Sequence, residues 1–447
     1  MTQSQSAQSI PSKISKLRSV TVATTATGLA GQTALLISGP LLARMLGLDG
    51  RGQLAALLLW PTVIALLGSL GLPSAITYFI AQRRASTKAV CRAALPFAVP
   101  PALLLVVIHA GILSLALHDE PASIKIAGAI TLGAVPAHLA QLYGLAILQG
   151  HQRFTLFNFL RLLPAVLFAG GVLALFAVGN QQIVSVVVLW MAATVMVGIS
   201  TLTISLWTTR DAHAEAQAVE RKELVRFGVR GLFGSVSPIE HFRIDQLVLA
   251  IFLAPAALGL YVVGLAFTNV FRFLSQSVGM VAYPSIAAHT DPSSARRTLW
   301  AFIWATVALS VVFVIPLMLA VGWLVRLLFG QEFGEAVLIA RILLAGMVFA
   351  SARRILSDGL KGRGYPAAGT LAEIAALLWL APALGAMVPL WGAPGAAVAL
   401  SSSYVVSLVA LLVLAARRGE ARLAAVFGGP PLTAWNRLRL FSLSKVS

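Results

Sequence analysis

Apolar runs of about twenty residues or more alternate with short polar connectors from Val20 to Leu414. A helix needs about 20 apolar residues to cross a bilayer, whereas a barrel strand needs about ten of alternating polarity. The runs therefore predict an all-α polytopic membrane protein of about 12 transmembrane helices. The expected spans are 20–46, 53–80, 89–117, 124–148, 155–178, 182–208, 227–253, 256–284, 298–325, 335–357, 367–390 and 394–416. Connectors on one side are very short, as at Gly179-Asn180 and Ala254-Pro255. The longest, Thr209 to Arg226, has eighteen residues. No soluble domain is predicted.

Short landmarks recur at nearly one offset. Gly52 and Gly259 end two turns 207 residues apart, Pro73-Ser74 and Pro284-Ser285 lie 211 apart, and Leu148-Gln149-Gly150 and Leu360-Lys361-Gly362 lie 212 apart. The last offset also sets Arg161 against Glu373. This repeat predicts two six-helix bundles related by pseudo-two-fold symmetry along the membrane normal. The expected organisation is a cytoplasmic N-terminal tail (1–19), a first bundle (20–208), a cytoplasmic linker (209–226), a second bundle (227–416) and a basic cytoplasmic tail (417–447).

Composition agrees. Hydrophobic residues make up 58% and charged residues 11%, against roughly 25% charged in a soluble domain. With the N-terminus inside, 24 Lys and Arg fall in inward connectors and tails and 4 in outward ones. Arg353 and Arg354 count among the inward set. Five more, Arg161, Arg230, Arg243, Arg272 and Arg341, lie inside spans. The asymmetry places both termini in the cytoplasm. It also accounts for the net charge of +18 through topology and anionic lipid, with no nucleic acid required. The first apolar run is nearly twice the length of a signal-peptide core and reads as an uncleaved span. Cys91 is the single cysteine, which rules out an intrachain disulfide and a thiolate cluster. The seven histidines lack metal-ligand spacing, and no Gly-Lys-Ser/Thr phosphate loop occurs. No cofactor, metal or catalytic residue is expected, and the chain does not read as an enzyme.

Gly50-Arg51-Gly52-Gln53-Leu54 followed by Gly68-Ser69-Leu70-Gly71-Leu72-Pro73-Ser74-Ala75 resembles the first hairpin of the oligosaccharide-lipid flippases. These form the O-antigen and exopolysaccharide branch of the multidrug/oligosaccharidyl-lipid/polysaccharide exporter superfamily. Leu148-Gln149-Gly150-His151-Gln152-Arg153-Phe154, with Asn158 and Arg161, is similar to that family's turn between spans four and five. Arg243-Ile244-Asp245-Gln246 running into Leu258-Gly259-Leu260-Tyr261 resembles its seventh span and following turn. The resemblance implies two six-helix bundles around a central cavity in the bacterial inner membrane. It also implies movement of an undecaprenyl-diphosphate-linked glycan between leaflets by alternating access. The implied partners are that lipid-linked glycan, membrane lipids, and the glycan polymerase or glycosyltransferases of the same pathway. The lipid II flippase branch usually carries additional spans, which points away from it.

Charges within spans cost about 2.5–3.5 kcal/mol each at the bilayer centre and usually line a wet cavity or pair with one another. On a continuous seventh helix, Arg230, Gly234, Ser237, His241 and Asp245 share an arc of about 80°. Glu240 and Arg243, three apart, are spaced to pair. In the eighth span, Asn269, Arg272, Gln276, Gly279 and Tyr283 share a similar arc. Arg272 lies seventeen residues past Pro255, roughly 25 Å of helix, which sets it level with Glu240 and His241. The functional reading is a cationic cavity for a diphosphate and sugars, built from Arg161, Arg230, Arg243 and Arg272 with Asn269, Gln276 and His241, because arginine's planar fork suits phosphate. The competing reading makes Glu240–Arg243, and Asp245 with Arg230 or His241, packing pairs. Glu240, Asp245 and Glu373 are the candidate coupling carboxylates. Glu373 has no cation within one turn of sequence and is the one expected to titrate. Arg341 and Asp358 lie near span ends, where side chains snorkel.

Three rivals differ in what they need. A multidrug or small-solute exporter of the same fold would bind through carboxylates and aromatics. An integral-membrane glycan polymerase or ligase would carry a large catalytic outer loop, and every outward connector here is short. A membrane scaffold would have no use for buried charge.

Overall fold

The computed structural model describes residues 9–82, 86–209, 220–235, 238–287, 291–365 and 367–419. Among them every regular element is helical. Part of the expected linker (210–219), the basic tail from residue 420 and the first eight residues lie outside the described residues. The chain forms two compact units, residues 1–236 and 237–447.

In the first unit, α1 (Ser9–Gly68) is two helices joined at Gly47, whose φ of 68° leaves the helical region. Only glycine takes that conformation without steric cost. The expected second span is split after Gly68, where Leu70 has φ 50° and Gly71 φ 69°, and α2 (Leu72–Ala81) then starts with Pro73 in its first turn. Next comes α3 (Thr87–Ala116), capped by the Ser86 side chain, which accepts from the Ala89 amide. The helices α4 (Ala122–Ile130) and α5 (Ala134–Gly150) flank a single 3₁₀ turn and together make one apolar stretch. Two long apolar helices follow, α6 (Phe154–Ala177) and α7 (Ile183–Thr209). The unit closes with α8 (Arg221–Ser235), which packs on α2 with Phe227 stacked on Tyr78 at 4.2 Å. The expected start of the second bundle, residue 227, therefore falls inside a helix of the first unit.

The second unit contains α9 (Pro238–His241), α10 (Ile244–Phe252), α11 (Pro255–Ala266), α12 (Asn269–Ala287), α13 (Pro292–Leu328), α14 (Ala336–Gly362) and α15 (Ala367–Arg417). The helix at its centre is α14, which packs on α11, α12, α13 and α15 and buries Leu344, Ile355, Leu356 and Leu360 almost completely. Like α1, α15 is two helices joined at a glycine, here Gly392 with φ 61°.

Among the described residues, eight helical stretches are long and apolar enough to cross a membrane. Five single helices, the α4–α5 stretch and the two joined pairs account for ten of the twelve expected spans. The expected seventh and eighth spans are instead built from shorter pieces. The seventh is broken before α10, where Arg243 adopts φ 46° and ψ 45°. A non-glycine residue in that region costs about 1–3 kcal/mol. The eighth is broken between α11 and α12, where the Thr268 hydroxyl donates to the Leu265 carbonyl. The single polar arc expected for Arg230 through Asp245 therefore does not form, because those residues do not share one helix.

Apolar side chains also cover outer faces. On α3, Leu95, Val99, Leu103 and Val107 recur every fourth residue, each at least half exposed. An exposed apolar face of that length belongs in lipid. The chain is a multi-pass membrane protein.

Candidate functional site

Six charged residues of the second unit, Glu240, Arg353, Arg354, Asp358, Lys361 and Glu373, gather at α14. Nine residues before the end of that helix, about 13 Å along its axis, stands Arg353 at 5% exposure. One guanidinium nitrogen, Nη2, donates to Glu240 Oε1 on α9 at 2.6 Å. The other, Nη1, donates to Glu373 Oε1 on α15. The planar fork thus serves two carboxylates from two helices, a task a lysine ammonium performs poorly. The ring of Tyr404, also on α15, lies under the guanidinium with its centroid 5.2 Å from Cζ. Arg353 Nε is buried and has no hydrogen-bond partner among the described residues.

The ladder continues outward. Arg354 Nη1 stands 3.5 Å from Glu240 Oε2, so each oxygen of Glu240 faces a different arginine. Arg354 Nε is 4.0 Å from Asp358, and Asp358 is 3.4 Å from Lys361 Nζ. Exposure rises along the series, from 6% for the Arg353 side chain to 31% for Arg354 and 42% for Lys361. Gly279 on α12 makes room for it, since a Cβ there would collide with Asp358 Oδ2.

A second polar group lies on α10 to α12. Asp245 is 3% exposed and accepts a 2.5 Å hydrogen bond from the buried Tyr261 hydroxyl. Arg272, half-buried on α12, lies within Coulombic range of Glu240, Asp245, Arg353 and Tyr404. It makes no ion pair among the described residues. Arg243 interacts electrostatically with both Asp245 and Arg272. Asn269 and Gln276 are half-buried on the helix that carries Arg272, as their spacing predicts.

Several expectations change. Glu240 pairs with Arg353 and Arg354, not with Arg243, because the helix break at Arg243 destroys the three-residue register. Glu373 is not an isolated carboxylate, because its cation arrives from another helix. Asp358 is not a lone snorkelling group, and Arg353 is no connector residue but the most enclosed charge of the cluster. His241 closes α9 beside Glu240. Arg161 lies in the first unit on an exposed side of α6. One turn before it, the buried Asn158 donates to Thr24 at 2.9 Å. Arg230 lies in α8, and its side chain is outside the described ones.

Sequence reasoning missed Arg353, Arg354, Tyr261 and Tyr404. A signal existed for the arginines: the doublet sits inside the apolar run from Ala336 to Leu360. Among the described residues no three His, Cys, Asp or Glu side chains gather as a metal site. Removing one partner of a buried ion pair costs more than the pair contributes, so the cluster fixes how α9, α14 and α15 meet more than it stabilises the fold.

Residues 17–290 match a family described as polysaccharide biosynthesis protein. No curated protein matches the chain. Among solved structures, the lipid II flippase MurJ in an inward closed conformation superimposes with a TM-score of 0.72 at 12% identity, covering 96% of this chain and 93% of that one. An inward-facing multidrug resistance MATE family transporter of the MOP superfamily gives 0.65 at 15% identity, covering 96% and 99%. A MOP superfamily transporter from Pyrococcus furiosus, whose binding pocket has reversed polarity, gives 0.59 at 13% identity, covering 89% and 95%. At such identities the likeness shows the fold alone, and that fold is the one shared by these flippases and transporters.

Proposed function

The chain belongs to the polysaccharide biosynthesis protein family, and from that premise we propose that it carries a polyprenyl-diphosphate-linked oligosaccharide across the bacterial inner membrane by alternating access. Both termini are then cytoplasmic, and the glycosyltransferases and glycan polymerase of the pathway are its functional partners. The observation that carries this reading is Arg272, a half-buried cation with no ion pair among the described residues, within Coulombic range of Glu240 and Arg353 in an otherwise matched charge cluster. An unmatched arginine inside a membrane domain favours an anionic substrate.

The test is lipid-linked glycan movement in proteoliposomes. Arg272→Ala and Arg161→Ala should abolish flipping while leaving membrane insertion intact, and Arg272→Lys should restore part of it, since a point charge does not reproduce a fork. Loss of protein level in Arg272→Ala with normal flipping per surviving molecule would reduce Arg272 to a packing residue.

A second reading, a multidrug or small-solute exporter, draws on the buried carboxylates Glu240, Asp245 and Glu373, which suit a cationic solute. Uptake of an organic cation by vesicles that do not flip the glycan lipid would decide for it.

A further inference from the structure

We propose that Glu240 is an internal stand-in for the substrate's diphosphate: it fills an anion site made by Arg272, Arg353 and Arg354, and the arriving diphosphate displaces it. The inference rests on the reading of this chain as a carrier of a lipid diphosphate.

The two oxygens of Glu240 meet two guanidinium groups, with Arg353 at 2.6 Å and Arg354 at 3.5 Å, and a third, Arg272, lies in Coulombic range. Guanidinium nitrogens placed one on each oxygen of an anion, with charge on both, hold a phosphate as readily as a carboxylate. The three arginines do not depend on Glu240 equally. Without it, Arg353 keeps Glu373. Arg354 keeps only Asp358 at 4.0 Å, a carboxylate already shared with Lys361 at 3.4 Å. Arg272 has no ion pair among the described residues to fall back on. Departure of Glu240 therefore uncovers about two positive charges, which a diphosphate meets better than the single charge of a carboxylate. Approach is from the Arg354 side, because Arg354 and Arg272 are partly exposed while the Arg353 side chain is 6% exposed.

Glu240 is also placed to leave. It rides on α9 (Pro238–His241), and the chain departs from helical geometry at Arg243, just beyond it. That break lets the turn carrying Glu240 reorient without moving α10.

The test uses the purified full-length chain in nanodiscs, with farnesyl diphosphate and inorganic pyrophosphate as probes and thermal melting as the check on folding. Glu240→Gln, which keeps the shape and removes the competing charge, should bind farnesyl diphosphate at least about tenfold tighter than wild type. Glu240→Asp, which withdraws the charge by one methylene, should gain about threefold and serves if the glutamine variant is unstable. Adding Arg354→Gln to Glu240→Gln should erase the gain. Unchanged or weaker binding by folded Glu240→Gln, or a gain indifferent to Arg354→Gln, would overturn the displacement. A gain for pyrophosphate without one for farnesyl diphosphate would reassign the site to a free anion and overturn the substrate's role. Flipping by wild type without any gain in Glu240→Gln keeps the transport reading and overturns this inference. Absence of both binding and flipping in wild type overturns both.

Discussion

Arg353→Met removes the one cation that Glu240 and Glu373 share while keeping most of the side-chain volume. Both carboxylates remain largely out of water, with side-chain exposures of 11% and 15%. Stripping one partner from a buried ion pair costs about 3–5 kcal/mol, because an uncompensated charge stays behind. Glu240 retains Arg354 at 3.5 Å, which puts the expected loss at the lower end, about 3 kcal/mol. For a unit of this size each kcal/mol shifts the melting temperature by about 2–4 °C, so the variant should melt roughly 6–12 °C lower. Replacing all three groups, with Glu240→Gln and Glu373→Gln added, should recover most of that loss, since no bare charge remains. Melting is read with a thiol-reactive fluorophore. Cys91 would report on the first unit, so the measurement uses Cys91→Ala with Ser407→Cys. Ser407 is fully buried on α15, and its hydroxyl has no hydrogen-bond partner among the described residues. If Arg353→Met melts with wild type, or if the triple variant melts below the single one, the shared-cation reasoning is wrong.

Gly279→Ala should cost about 1–3 kcal/mol, the usual toll of forced overpacking, because its Cβ would push Asp358 off Arg354 and Lys361. A melting temperature equal to wild type would show that α12 and α14 separate without resistance. At the start of α13, Asp291 accepts from the Ser293 hydroxyl and from the Ser293 and Ser294 amides, which hold its carboxyl down to about 2. A depressed folded value stabilises above the unfolded pKa of about 4 and is lost as pH falls through about 2. The melting difference between wild type and Asp291→Ala should therefore be constant above about pH 5 and shrink toward pH 2, and a difference that grows on acidification would contradict the capping role. For topology, Glu220→Cys in a Cys91→Ala background should react with an impermeant maleimide only from the cytoplasmic side, and labelling from outside alone would reverse the orientation.

Hydropathy made the long helices legible, because lipid demands about twenty apolar residues whatever the tertiary structure. The breaks were less so. Arg243 and Leu70 carry no glycine signature, and their positive φ values are imposed by surroundings that periodicity does not see. The individual site residues Glu240, Asp245, Arg272 and Glu373 were visible as charges in apolar runs, but their partners were not. Spacing reveals partners three or four residues away, and Arg353 reaches Glu373 across 20 residues and Glu240 across 113. Arg353 itself was assigned to a connector, although it lies well inside the apolar run of α14. The inward excess of basic residues made an arginine near a cytoplasmic end look ordinary.

The span of 113 residues between Glu240 and Arg353 has a meaning for biogenesis. At about 5–20 residues per second, the ribosome delivers Arg353 roughly 6–23 s after Glu240. Throughout that interval Glu240 has already been synthesised and the arginine that will neutralise it has not. A nascent segment held at the translocon or in the polar interface keeps that carboxylate hydrated, and it would settle into the bilayer only when α14 arrives. Glu373 follows 20 residues behind Arg353, so the last carboxylate lands on a cation already in position. Ribosome-arrested chains ending shortly before and shortly after α14 emerges should differ in how deeply residue 240 lies in the bilayer. Equal depth in the two would mean that α9 inserts without waiting for its partner.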